Sequence, residues 1–219
     1  LFDFYLFFIM LSNKILIIDY KVGNYQSVEN ALHSLGYGFL VSNKKEDIKN
    51  AKVLILPGVG AFGEAMKNLE KFKIRQLLKQ QALEKKKPIL GICLGFQVFA
   101  DWSEENGFHK GLGFIRGKVV KFKSKKGFRI PHVGWNTIKI IKKDPLFSKL
   151  KDNSSFYFDH SYYLTCGEKN VAAKCFYGEN VVVAAQKDNI FGVQFHPEKS
   201  QNNGLKLFRS FFNHVNPVK

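Results

Sequence analysis

Cysteine is scarce in this chain of 219 residues, with three only, at positions 93, 166 and 175. An odd, sparse set cannot staple a small fold together, and it fits a reducing compartment such as the cytoplasm. No Cys or His pair has the spacing of a zinc site, so no metal is expected, and no other cofactor is implied. Arginine is scarce too: Arg75, Arg116, Arg129 and Arg209 stand among 34 basic residues that outweigh 18 acidic ones for a formal charge of +16. Proteins that read bases or phosphates gather arginine in one element. Here the lysines lie in separate clusters, Lys85-Lys86-Lys87, Lys125-Lys126 and Lys142-Lys143, as on a solvated surface. We therefore expect no nucleic-acid partner. The apolar start, residues 1–11, is too short to span a bilayer and lacks a basic lead or a small-residue cleavage site. We expect no membrane association. Residues 1–13 are read as an irregular extension, with Met10 as an alternative start, and 14–219 as one domain. Neither a Pro- or Gly-rich linker nor an internal repeat divides the chain.

Short, fully apolar runs are present instead. Residues 15–18, 53–56 and 89–92 read as buried strands, and 39–41 as a further strand between them. Helical patterns alternate with them: residues 27–35 stopped by Gly36, 46–50, 66–85 and a short run at 96–100. Strand–helix alternation of this kind predicts an α/β fold with a central parallel sheet covered on both faces. The second half changes texture. Runs at 117–122, 136–140, 155–158, 171–173, 181–185 and 190–195 look like strands, several of them half-exposed, and 204–215 closes as an amphipathic helix. An antiparallel layer added to the parallel core fits this.

Gly91-Ile92-Cys93-Leu94-Gly95 follows a buried strand and precedes a helix-like run. A nucleophile on such a strand-to-helix turn is exposed at the end of the sheet, its thiolate favoured by the helix N-terminus. The Leu94 amide is placed to donate to an oxyanion. Phe195-His196-Pro197-Glu198 follows the last strand and offers a base with a carboxylate two residues on, the pair a cysteine nucleophile needs. Pro57-Gly58-Val59-Gly60-Ala61-Phe62-Gly63 exposes backbone amides after the third strand. Without a terminal Gly-Lys-Ser/Thr it is no P-loop, and Val59 and Gly60 are candidates for the second half of an oxyanion hole. Together these predict acyl transfer from a small amide to Cys93, with His196 as acid–base and Glu198 orienting it. The residues alone do not name the amide.

Gly91-Ile92-Cys93-Leu94-Gly95-Phe96-Gln97 and Gln194-Phe195-His196-Pro197-Glu198 resemble the class I (triad) glutamine amidotransferases. More narrowly, Gly23-Asn24-Tyr25-Gln26-Ser27-Val28, Pro131-His132-Val133-Gly134-Trp135-Asn136 and Asp159-His160-Ser161-Tyr162 resemble the glutaminase subunits of imidazole glycerol phosphate synthases. The resemblance implies L-glutamine as substrate and ammonia passed to a (β/α)8-barrel cyclase subunit in a heterodimer of histidine biosynthesis. It implies that Gly60, Gln97, Ser161 and Tyr162 bind glutamine, and that Asn24, Trp135 and Lys199 approach the partner. Lys21, Tyr25, Val133 and Asp159 depart from the usual pattern. Similar subunits also supply ammonia for acetamidino-sugar formation in surface-polysaccharide pathways, and a catalytically inactive partner-binding scaffold of the same fold is the alternative of a different class.

Overall fold

Side-chain alternation in the first apolar run decides the architecture. Every residue of β1 (Ile15–Ile18) is buried, yet Ile15 and Ile17 join one hydrophobic cluster while Leu16 and Ile18 join another. Successive strand residues point to opposite faces, so this strand lies in a sheet covered on both sides. A computed structural model describes residues 14–215; the expected N-terminal extension, residues 1–13, lies outside that range, as do positions 216–219. On one face α1 (Tyr25–Ser34) contributes Val28 and Leu32. After β2 (Leu40–Ser42), α2 (Lys45–Asn50) and β3 (Val53–Gly58), the opposite face is covered by Phe62, Ala65 and Leu69 of α3 (Phe62–Lys71).

The single helix expected over residues 66–85 is broken. Lys73 takes φ 55°, and the chain turns there before α4 (Arg75–Lys79), which runs on as a π-helical turn to Glu84. The break lets Ile74, fully buried, enter the core. Helical periodicity does not register a single left-handed residue. The chain then enters β4 (Ile89–Cys93) and a four-residue helix, α5 (Leu94–Gln97), shorter than the run at 96–100 suggested.

Beyond it come β5 (Trp102–Ser103), β6 (His109–Lys110), β7 (Gly117–Lys121), β8 (His132–Thr137) and β9 (Lys139–Ile140). Then follow β10 (Ser155–His160), β11 (Tyr162–Cys166), β12 (Val171–Phe176), β13 (Asn180–Lys187), β14 (Ile190–Val193) and the closing α6 (Gln201–Val215). The main sheet has eight strands in the order β2-β1-β3-β4-β14-β13-β12-β9. Its first five strands are mutually parallel, and β13, β12 and β9 extend it antiparallel. β10 pairs with β8, and β11, β7, β5 and β6 form a third sheet. This is the α/β fold with an added antiparallel layer that the strand texture predicted. Among the described residues no helix is long and apolar enough to cross a membrane.

The register of the parallel strands positions the chemistry. Gly192 lies opposite Gly91, Val193 opposite Ile92, and Gly58 opposite Cys93. Three segments predicted to carry function, at 57–60, 91–95 and 194–198, therefore emerge together at the carboxyl ends of neighbouring parallel strands, where open α/β sheets place their ligands.

Candidate active site

Cys93 is the last residue of β4 and takes φ 54°, ψ −111°. A side chain rarely occupies this region; where it does, the surrounding structure over-determines it, usually at a functional site. The constraint here is close approach. A Cβ at Gly95 would lie 1.7 Å from the Leu56 carbonyl oxygen, so the turn after Cys93 presses against the neighbouring strand. A larger residue would push the turn off β3 and with it the thiol. Cys93 is nearly buried, and its Sγ receives the Gln194 Nε2 at 3.7 Å.

His196 sits three residues past β14. Its amide donates to the Tyr157 carbonyl at 2.9 Å, and its own carbonyl accepts from Ser200 Oγ at 2.6 Å. The 3-10 turn Pro197–Lys199 folds Glu198 back onto the ring, with Nδ1 to Oε1 at 2.7 Å and both side chains 3% exposed. The imidazole lines the same cavity as the Cys93 thiol. Burial alone would lower the pKa of His196, but the adjacent Cys93 sulfur and Glu198 carboxylate outweigh it and hold the pKa well above its ordinary value. The arrangement places a strongly basic imidazole beside the Cys93 sulfur, with a carboxylate behind it, as a cysteine nucleophile needs. Burial pushes the Cys166 thiol up to about 11 and the Cys175 thiol up to about 12.

The triad opens into a cavity of about 270 Å³ lined by Val59, Gly60, Cys93, Leu94, Gln97, Glu105, Pro131, the run 159–162 and His196. Gln97 Nε2 donates to the Tyr162 carbonyl at 2.8 Å and to Gln194 Oε1 at 3.1 Å. Gly60, Leu94, Gln97, Ser161 and Tyr162 all line this cavity beside the thiol. Val59 lines the cavity but differs in detail. Its amide donates to the Val22 carbonyl at 3.0 Å, so in this conformation it is committed and not offered to an oxyanion. Sequence shows that this loop can turn; it does not show which way a peptide faces.

Of the residues expected to face a partner, Trp135 is 51% exposed, with its ring edge-on to Tyr157. Lys199 places its ammonium 5.7 Å from the same Tyr157 ring. Asn24 caps α1, its Oδ1 accepting from the Ser27 amide at 3.4 Å. Lys21 holds φ 65°, which explains why a small residue is usual there, and an ion pair to Asp19 at 2.6 Å anchors its side chain. Glu105 was missed by sequence reasoning. It reaches the cavity from the loop after β5, tethered by the Phe62 amide at 2.7 Å. Gln194 appeared in a motif but without a role; its contacts with both Cys93 and Gln97 give it one.

The description "Glutamine amidotransferase class-I" matches residues 16–215. The chain belongs to the class-I glutamine amidotransferases. This amidotransferase is 50% identical to "Imidazole glycerol phosphate synthase subunit HisH 1" of Campylobacter jejuni subsp. jejuni (strain 81-176), over 90% of the chain and 98% of that relative. It is 48% identical to "Imidazole glycerol phosphate synthase subunit HisH 2" of Vibrio vulnificus, over 92% of the chain and 95% of the relative. Among solved structures, one described as a glutamine amidotransferase superposes with TM-score 0.73 at 20% identity, over 93% of this amidotransferase and 99% of that chain. PurLQS from Thermotoga maritima gives 0.71 at 20% identity, over 92% and 98%. Identity that low carries the fold alone.

Proposed function

We propose that this amidotransferase is the glutaminase subunit of an imidazole glycerol phosphate synthase, working in the cytoplasm and passing ammonia to a (β/α)8-barrel cyclase subunit in histidine biosynthesis. The observation that carries the reading is the half-identity, over nearly the full length of both chains, to a relative named as that subunit. The site geometry supports the chemistry. The Cys93 thiolate attacks the side-chain carbonyl carbon of glutamine, and the carbon–oxygen pair moves onto an oxyanion held by the Leu94 amide and the 59–60 backbone. His196 gives its proton to the departing nitrogen, releasing ammonia and leaving a thioester. Water, deprotonated by His196, attacks the thioester, glutamate leaves, and the thiolate returns. Glu198 fixes the imidazole throughout. Because the Val59 amide now serves Val22, its peptide must turn before it donates to the oxyanion.

Glutamine carries an α-ammonium group, and Glu105 brings a carboxylate to the cavity lining, as does Asp159; Glu105 is the one held in place by the Phe62 amide. Charged hydrogen bonds are worth about 1.5–3 kcal/mol. Glu105→Gln, which retains an acceptor for the Phe62 amide, is therefore expected to raise KM for glutamine by roughly tenfold or more, with kcat within about threefold. Steady-state glutamate release measures both constants, and an unchanged KM would remove Glu105 from the binding site.

A second reading keeps the chemistry and changes the acceptor to a sugar receiving an acetamidino group. One observation favours it: Val133, which departs from the usual pattern, is exposed two residues from Trp135, in the segment expected to meet the partner. Complementation separates the readings. A strain lacking its own glutaminase subunit, supplied with this chain and a (β/α)8-barrel cyclase subunit from the same organism, is expected to grow without histidine. Active glutaminase with no growth would reject the histidine assignment and favour the sugar.

A further inference from the structure

Two buried histidines, His132 of β8 and His160 of β10, are not used by the triad, yet they face each other across that strand pair and His160 lines the glutamine cavity. His132 Nδ1 lies 3.1 Å from His160 Nε2. His160 Nδ1 lies 2.8 Å from the Tyr162 carbonyl, and His132 Nε2 lies 3.3 Å from Asn136 Nδ2. The protons in this chain are fixed from both ends. At one end the Thr137 amide, which can only donate, binds Asn136 Oδ1 at 2.8 Å. Asn136 therefore presents its NH₂ to His132 Nε2, and a second donation, to the Phe176 carbonyl at 3.1 Å, agrees with that orientation. His132 Nε2 must then accept, so its proton is on Nδ1 and points at His160 Nε2. At the other end the Tyr162 carbonyl can only accept, so His160 carries its proton on Nδ1. Both ends require the same pair of neutral tautomers. Burial favours them too, lowering His132 to about 4 and His160 to about 3.

The Tyr162 carbonyl that receives His160 also receives Gln97 Nε2. The other hydrogen-bonding direction of that amide goes to Gln194, whose own amide reaches Cys93. We infer that His132 and His160 are positioning residues for glutamine: a neutral relay that holds the Tyr162 peptide so that Gln97 is locked in the orientation that binds substrate. The opposite tautomer at His160 would set a nitrogen lone pair against the Tyr162 oxygen, and that peptide would rotate away from Gln97. The relay also gives His132 and Asn136 of the Pro-His-Val-Gly-Trp-Asn segment a function distinct from the exposed Trp135 and Val133. It rests on the glutaminase reading above.

His132 is stacked between Tyr177, at 3.8 Å between ring centroids, and Phe158, at 4.6 Å, so packing and proton donation can be separated. His132→Phe keeps an aromatic ring in the stack and removes the donor. His132→Asn loses the ring but places an NH₂ near the Nδ1 position. With the barrel partner and acceptor present, His132→Phe is expected to raise KM for glutamine about tenfold, the scale of a buried acceptor left unsatisfied, while kcat stays within about twofold. His132→Asn is expected to stay within about threefold of wild type in both. A structural role alone predicts the reverse order, with the ring-preserving variant the milder, and that order would overturn the inference. Histidine ¹⁵N NMR of the unsubstituted full chain gives a readout free of turnover. Both imidazoles should be neutral with the proton on Nδ1 from pH 5.5 to 8. An Nε2-protonated or charged His160 in that range would overturn the relay even where glutamine hydrolysis proceeds normally, and failure of the wild type to hydrolyse glutamine would instead reject the glutaminase reading.

Discussion

Cys93→Ala is expected to lower glutamine hydrolysis by at least about 10⁴, since members of a catalytic triad act as a unit and removing the nucleophile costs nearly as much as removing the whole set. The residual rate would be that of a cavity that binds glutamine without attacking it. His196→Ala should cost roughly 10²–10⁴, the usual share of a general acid–base, and Glu198→Ala no more than His196→Ala, because Glu198 works through the ring it bonds at 2.7 Å. An electrophilic glutamine analogue should label Cys93 and leave Cys166 and Cys175 free, because burial keeps the last two protonated. Glutamate release by the purified variants, with thermal unfolding as the control for folding, measures the first result, and mass spectrometry the second. Full activity in Cys93→Ala, or label on another thiol with Cys93 free, would reject the triad.

The second large effect is expected from the partner. A hydrolytic site of this kind would squander glutamine if it ran freely. The loop that must turn is restrained in this structure at one point: the Val22 carbonyl holds the Val59 amide, while the Val22 amide is itself held by the Tyr25 hydroxyl at 3.2 Å. Gly60 at φ 105° gives the loop a hinge that a side chain would resist. One missing oxyanion donor costs about 2.7–4 kcal/mol, or 10²–10³ in rate. The isolated chain should therefore turn over slowly, and the barrel protein with its acceptor substrate should raise turnover by at least about 10² if it favours the turned peptide. The measurement is glutamate production by the chain alone, with partner, and with partner plus acceptor. Equal turnover in all three would reject the switch.

The parallel core was legible because Ile15, Leu54 and Leu90 belong to strands apolar on both faces, a pattern few other elements share. The elbow was legible because glycines flank Cys93, and the base because Pro197 spaces His196 and Glu198. What escaped depends on pairing distant in sequence. Glu105 is one of two adjacent acids in a loop, and nothing local says that the Phe62 amide draws it to the cavity. His132 and His160 become a pair only when β8 and β10 come into register. The Lys73 break and the facing of the Val59 peptide are single-residue backbone choices, invisible to periodicity.

The adjacency of β4 and β14 in the sheet has a consequence for synthesis. Cys93 ends β4 and His196 follows the neighbouring β14, but about half the chain is translated between them. The nucleophile therefore leaves the ribosome long before its base, in a strand that has β3 beside it but not yet β14, and long-range parallel pairing is slow to form. Until residue 198 has cleared the exit tunnel the nascent chain carries an unactivated thiol and cannot consume glutamine. The order of the elements thus delays activity until the fold is essentially finished.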